Sequence, residues 1–450
     1  MVFSSVEFIY LFLPIAVGGY FLCPRRLKNL WLFGVSLFFY AYGEPIYVFL
    51  MLLAALAGYF LGRAIERRRE RRRLFLLLAV IFYVGILIFF KYWALIGSVL
   101  PLPPLDIPLP IGISFYTFQA LSYVIDVYRG ETKAERSLVN FGTYLALFPQ
   151  LIAGPIVKYT DVAAALSSRR HSIGRVSSGI VRFCVGLAKK AILANSAGAL
   201  GQLMIAERDL LSVFLWLLLF ALQIYYDFSG YSDMAIGLGR IFGFDFPENF
   251  NYPYVAESIT DFWRRWHMTL SGWFREYVYI PLGGNRRGRS RTVVNLFAVW
   301  ALTGLWHGAQ LNFLLWGIYF FVILVLEKYL FGSILKSAPR FLRRTYAVGL
   351  ILVGWLIFAA DGSGAVCLSE LLSASPIEGR TAYLLLRNIP FIAIMLVGVT
   401  PIPKRLFERL RMRLPLGAEL SAGVLSILLL LLSTAYTVAS GYNPFLYFRF

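Results

Sequence analysis

Apolar residues in this chain come in long blocks, and the blocks are cut to the length of a bilayer. No Asp, Glu, Lys or Arg occurs in residues 8–24, 45–62, 74–90, 107–125, 210–226, 292–326 or 420–448. A helix spanning the ~30 Å hydrocarbon core needs about 20 mostly apolar residues, with a lower bound near 17. Shorter charge-free runs at 29–43, 191–206, 345–360 and 388–403 can span if their end residues snorkel. The run 292–326 is long enough for two crossings, or for a hairpin that turns within the protein. The pattern predicts an all-α, polytopic integral membrane protein with about 11–12 transmembrane helices. It shows no second domain, so residues 1–450 read as one membrane-embedded domain.

Three segments depart from simple spans. FPQLIAGPIVKY, residues 148–159, is broken by Pro149, Gly154 and Pro155. Irregular backbone at membrane depth survives only where protein buries it or where it lines a cavity, which predicts a re-entrant segment near 138–156. DFSGYSD, residues 227–233, ends an apolar span with two carboxylates, two serines and a tyrosine. In 258–277, Ser258 and Asp261 open a helix in capping-box fashion. Ile259, Phe262, Trp263, Trp266, Leu270, Trp273, Phe274 and Tyr277 then recur at helical spacing. Asp261, Arg264, Arg265, Arg275 and Glu276 fall on the opposite face, which predicts a helix lying in the interface with His267 at the border.

Composition removes the soluble alternative. The chain is 59% hydrophobic and 15% charged, against about 45–50% and 25% in soluble domains. Its net charge of +19 then reads as topology. Basic clusters at Arg25–Lys28, Arg63–Arg73, Lys336–Arg344 and Lys404–Arg413 fall in loops of one parity, and basic loops mark the cytoplasmic side. That alternation puts both termini outside. The Arg63–Arg73 run, flanked by two spans, reads as a stop signal and headgroup contact, with no nucleic-acid partner. MVFSSVE carries a glutamate and no Lys or Arg, and no A-x-A follows it, so the first apolar segment reads as a retained helix. Cys23, Cys184 and Cys367 show no CxxC pairing, hence no disulfide framework.

Ionisable groups at membrane depth cost about 2.5–3.5 kcal/mol on insertion scales and default to functional hypotheses. Of three histidines, His171 lies in basic SSRRHSIG and reads as a solvated loop residue. His307 lies inside the charge-free run 292–326. On one helix, Thr303, His307 and Gln310 form a polar stripe, with Gly304 and Gly308 leaving room beside the ring. The competing reading of His307 is a core histidine hydrogen-bonded between helices. PLGGNRRGRSR, residues 281–291, reads as a cytoplasmic turn able to meet an anionic ligand or headgroups. No G-x-S-x-G or HExxH occurs, and three scattered histidines are a poor metal set, so no metal site is expected.

DFSGYSDMAIGLG, ITDFWRRWHMTLSGWFREYVYIPLGGNR, LTGLWHG and the terminal YNPFLYFRF together resemble the membrane-bound O-acyltransferase family. The likeness is to its bacterial alginate O-acetyltransferase branch and runs from FSSVEFIYLFLP to the last residue. The branch of D-alanyl transfer to teichoic acids shares FW-x-RWH, but PLGGNR looks more like the alginate type. The resemblance implies a ring of helices around a central thinned region, where donor and acceptor reach one histidine from opposite faces. It maps the family's catalytic WHG histidine onto His307 and the second essential histidine onto His267. His307 would be the general base, with His267, Gln310 or Asn312 around the oxyanion. Thr303, Trp306, Asp227 and Ser229 join Gln310 and Asn312 as candidate substrate-binding residues.

The resemblance also implies an O-acetyltransferase of the bacterial inner membrane with no bound cofactor. The donor would be acetyl-CoA or an acyl carrier thioester on the cytoplasmic side. Partners would be membrane lipid, a periplasmic or membrane-anchored acetyltransferase and a polysaccharide synthase and export complex. The acceptor hydroxyls would belong to an exported polysaccharide such as alginate. Competing readings are a transporter or flippase, which predicts paired repeats with interrupted helices, a non-catalytic scaffold of the export complex, and D-alanyl-type transfer to a cell-wall polymer.

Overall fold

Helix forms wherever the sequence supplies apolar runs, because a backbone in lipid must satisfy its own hydrogen bonds. The computed structural model describes residues 2–100, 107–152, 154–360, 379–440 and 445–446, and among them it contains helices and no strand. Cys367, most of the connector 361–380 and most of YNPFLYFRF lie outside the described residues.

Among the described residues, seven helices are long and apolar enough to cross a membrane by length and composition, including Tyr47–Arg67, Leu210–Phe242, Arg340–Ala359 and Gly379–Gly398. The larger count of about 11–12 expected from the sequence includes runs that form helices just short of that length, such as Lys28–Gly43 and Ile113–Arg129. The chain is an all-α, multi-pass membrane protein.

The chain divides into two compact units, Met1–Cys184 with Tyr231–Glu248, and Val185–Gly230 with Asn249–Phe450. The first unit is organised around aromatic rings. Phe3, Phe8, Phe39 and Phe148 are almost wholly buried, and Phe3 stacks on Tyr231 with centroids 4.6 Å apart. The segment expected to be re-entrant forms two short helices, Leu138–Ala146 and Phe148–Leu151, with Pro149 in the first turn of the second. A nine-residue helix is about 13 Å long and cannot span. Protein buries it, as irregular backbone requires: Phe141 to Gln150 are all buried. His171 departs from the expected solvated loop. It is half-buried, and its Nε2 lies 3.0 Å from the Tyr20 hydroxyl.

Glycines let two helices approach closely. A Cβ on Gly237 would sit 2.6 Å from the Gly179 carbonyl oxygen in the first unit. In the second unit, a Cβ on Gly230 would meet the Gly186 oxygen at 2.7 Å. Small residues at such crossings allow backbone contact and dispersion in place of the hydrophobic drive that lipid cannot supply. The helix Leu210–Phe242 does not end at DFSGYSD as the sequence suggested. It runs through that motif for 33 residues, and Asp227, Ser229 and Ser232 are buried within it.

Candidate active site

The second unit carries both histidines of interest. The charge-free run 292–326 folds as a hairpin of two helices, Gly288–His307 and Leu311–Leu326. Glycine sets their separation: a Cβ on Gly304 would lie 2.4 Å from the Phe313 carbonyl oxygen, and one on Gly317 2.4 Å from that of Trp300. His307 is the last residue of the first helix, at the mouth of the hairpin turn, and is 7% exposed. Its ring is walled by aromatics: Trp306 and Trp316 at 5.0 Å between centroids, and Phe358 at 5.3 Å.

The helix end separates the polar stripe expected from the sequence. Gln310 lies beyond the turn, where it caps the second helix, and it is exposed, so it does not share a helical face with His307. Thr303 is buried on the His307 helix and gives its hydroxyl proton to the Val299 carbonyl at 2.8 Å. Asn312 is buried and donates to the Phe358 carbonyl at 2.9 Å, tying the hairpin to the helix that supplies Phe358. Among the described residues its Oδ1 has no partner, nor does Nε1 of Trp316, which is 1% exposed and whose ring packs on the His307 imidazole.

His267 sits differently from the expectation. The segment predicted as one interfacial helix is two short ones, Ile259–Trp263 and Met268–Phe274. His267 caps the second with φ +43°, a left-handed conformation uncommon for any residue but glycine. The break is bridged by backbone bonds to the segment 249–251. Asn251 N–H takes the Arg265 carbonyl at 2.9 Å, and Met268 N–H reaches the Asn249 carbonyl at 2.9 Å. Those bonds replace helical ones at Arg265 and Met268 and turn His267 inward, so it is 2% exposed rather than at a border. The apolar face is otherwise as expected: Ile259, Phe262, Trp266, Leu270, Trp273, Phe274 and Tyr277 are all buried.

Asn249 fixes the tautomer of His267. Its Oδ1 lies 3.0 Å from Nδ1 and also accepts from the Thr269 hydroxyl at 2.9 Å. An amide oxygen only accepts, so Nδ1 carries the proton and the lone pair stays on Nε2. His267 lies outside the long spans, and burial pushes its pKa down to about 3. The ring is therefore neutral across the physiological range.

The structure brings the two imidazoles to a shared neighbour. Trp306 packs on His307, and its centroid is 6.1 Å from that of His267. Phe228 lies 4.7 Å from the His267 ring, which brings the DFSGYSD motif to the same wall. Asp227 itself is committed elsewhere. Its carboxylate pairs with Lys190 at 2.6 Å and accepts the Leu446 N–H at 2.6 Å. The buried Ser229 hydroxyl has no partner among the described residues.

Two further residues hold the site and escaped the sequence reading. Asn249 lies in ENFNYPY, which shows no periodicity. Glu327, 5% exposed, accepts from Ile259 N at 2.6 Å and from Thr260 N and Oγ1 at 2.8 and 2.6 Å. It places a carboxylate on the N-terminus of the helix leading to His267, where amide dipoles favour an anion. Only its position at the edge of a charge-free run hinted at a role.

A model of the MBOAT, membrane-bound O-acyltransferase family matches residues 132–369, which include both histidines and Asn249. The chain is 42% identical to a protein of Azotobacter vinelandii named "Probable alginate O-acetylase AlgI", over 80% of this chain and 75% of that one. It is 37% identical to a protein of the same name from Pseudomonas putida, over the full length of both. It is also 32% identical to a peptidoglycan O-acetyltransferase of Helicobacter pylori, over 80% of this chain and 77% of the other. The chain belongs to the membrane-bound O-acyltransferase family and is an acyltransferase of its alginate O-acetylase-like branch.

Proposed function

We propose that the chain sits in a bacterial inner membrane and moves an acetyl group from a cytoplasmic thioester, acetyl-CoA or an acyl carrier, toward hydroxyls of an exported polysaccharide such as alginate. The observation that carries this reading is the pair of buried imidazoles, His307 and His267, on one indole at the mouth of a helical hairpin. The relatives support the polymer side, since their printed names place acyl groups on alginate and peptidoglycan.

A sugar hydroxyl is a poor nucleophile at neutral pH and needs a base at the moment of attack. His307 takes the hydroxyl proton as the oxygen bonds to the thioester carbonyl. The tetrahedral intermediate collapses with loss of the thiolate, and the imidazolium returns its proton to that sulfur. General-base catalysis of this kind contributes about 10²–10⁴-fold. The remainder comes from positioning and from donors at the oxyanion. Buried Trp316, whose ring centroid lies 5.0 Å from that of His307, offers an indole N–H for that task. The acceptor is a polymer hydroxyl or a partner acetyltransferase that relays the group.

Inverted membrane vesicles supplied with radiolabelled acetyl-CoA test the donor and the chemistry together. Label accumulates on a lumenal acceptor with this chain and not with His307→Ala. Transport of unreacted polymer precursor without label transfer would instead establish the transporter reading.

A further inference from the structure

The second unit contains a cavity of about 660 Å³ on its basic side. Its wall brings together the start of the helix Arg340–Ala359 and the segment 400–408, two basic loops that the parity of the spans assigned to one side. Five cations line it, Arg265, Arg340, Arg344, Lys404 and Arg405.

The carboxylates in the wall do not neutralise them all. Glu257 is held by Arg340 at 2.6 Å and by Arg343 at 2.8 Å. Asp261 is held by Arg265 at 2.9 Å, and Glu408 lies 3.9 Å from Lys404. Arg344 and Arg405 have no carboxylate partner among the described residues, and the buried Nε of Arg344 donates to nothing. Unpaired guanidinium groups in a concave site favour an anion that accepts several hydrogen bonds at once, and phosphate is the common one.

We infer that this cavity is a binding site for an organic phosphate, gripped by Arg344 and Arg405. The volume accommodates a headgroup or a nucleotide. The wall also joins the catalytic neighbourhood. Arg265, whose side chain lines the cavity, hydrogen-bonds through its carbonyl to Asn251, two residues from the Asn249 that fixes His267. An occupant would therefore touch Asn251 and Arg265, next to the segment that orients His267.

Two sources supply such a phosphate: an anionic phospholipid, or the nucleotide end of an acyl-CoA donor, the latter resting on the proposed acetyl transfer. The test uses the full-length protein in nanodiscs of phosphatidylcholine alone or with phosphatidylglycerol. Adenosine 3′,5′-bisphosphate binding is measured by calorimetry in the first, and retained phosphatidylglycerol by native mass spectrometry in the second. Arg344→Gln/Arg405→Gln should weaken one of the two at least tenfold, and the one that changes names the source. Arg69→Gln/Arg71→Gln, which removes two charges from an exposed basic turn elsewhere, should leave both unchanged, and the thermal melt confirms that each variant is folded. Binding of neither probe, or binding lost equally in both double variants, overturns the inference. Neither measurement involves turnover, so failure here leaves the His307-dependent transfer standing, and failure of that transfer leaves a phosphate site that the binding data still show.

Discussion

His267 is neutral because burial holds its pKa near 3, and it is oriented because Asn249 accepts from Nδ1. The sign of its pH dependence follows. A base whose pKa falls from 6.5 to about 3 on folding binds fewer protons in the folded state, so its contribution is complete above pH 6.5 and is lost as pH falls toward 3. The melting temperature of the wild type should drop more steeply than that of His267→Gln between pH 6.5 and 4. Equal slopes would mean that the ring is not buried neutral. Asn249→Ala should cost about 1–3 kcal/mol through the lost buried partner. It should lower kcat more than it raises KM, because the ring loses its orientation. His307 stood out in the sequence at this scale, since a histidine in WALTGLWHG has no cheap reason to be there. The groups around His267 did not: only the fold brings Asn249 to the His267 ring and Glu327 to the start of the helix Ile259–Trp263.

At the scale of elements, the sequence pattern predicted helices well and their interruptions poorly. Charge-free length marked the run 292–326 and allowed a hairpin, which the two close glycine contacts produce. It could not show that the helix stops at His307, because the charge-free run continues unbroken through Gly308, the C-cap, whose neighbour Phe313 leaves no room for a Cβ. The amphipathic reading of 258–277 had the right buried residues and the wrong continuity, because the segment 249–251 competes for its backbone groups. Two substitutions separate a glycine that packs from one that merely resides. Gly304→Ala drives a methyl into the Phe313 carbonyl and should destabilise the detergent-solubilised protein by about 1–3 kcal/mol. Gly349→Ala has open space and should stabilise by about 0.5–1 kcal/mol through helix propensity. Chemical unfolding of both variants checks the contrast, and equal effects would contradict the hairpin geometry.

For the whole molecule, the polar minority carries the meaning. Membrane embedding was plain from span lengths, and the basic excess resolves into loops of one parity. Two of the basic segments, at 340–344 and 400–408, line one cavity. Single cysteines replacing Lys336 or Arg409 in a background lacking the native thiols should react with an impermeant maleimide only after cells are opened, whereas one replacing Glu44 should react in intact cells. Labelling of all three from outside would refute the assigned orientation. The family match extends the picture from a membrane bundle to an acyltransferase, and one indole lies beside both His267 and His307.

The central claim is that His307 performs the transfer. The most direct measurement is the O-acetyl content of the exported polysaccharide in cells producing His307→Ala at wild-type protein level. That content should fall by at least about 10²-fold, with polymer yield unchanged. Normal acetylation would contradict the assignment of His307 as the base, and loss of polymer export with acetylation intact would contradict the enzymatic reading itself.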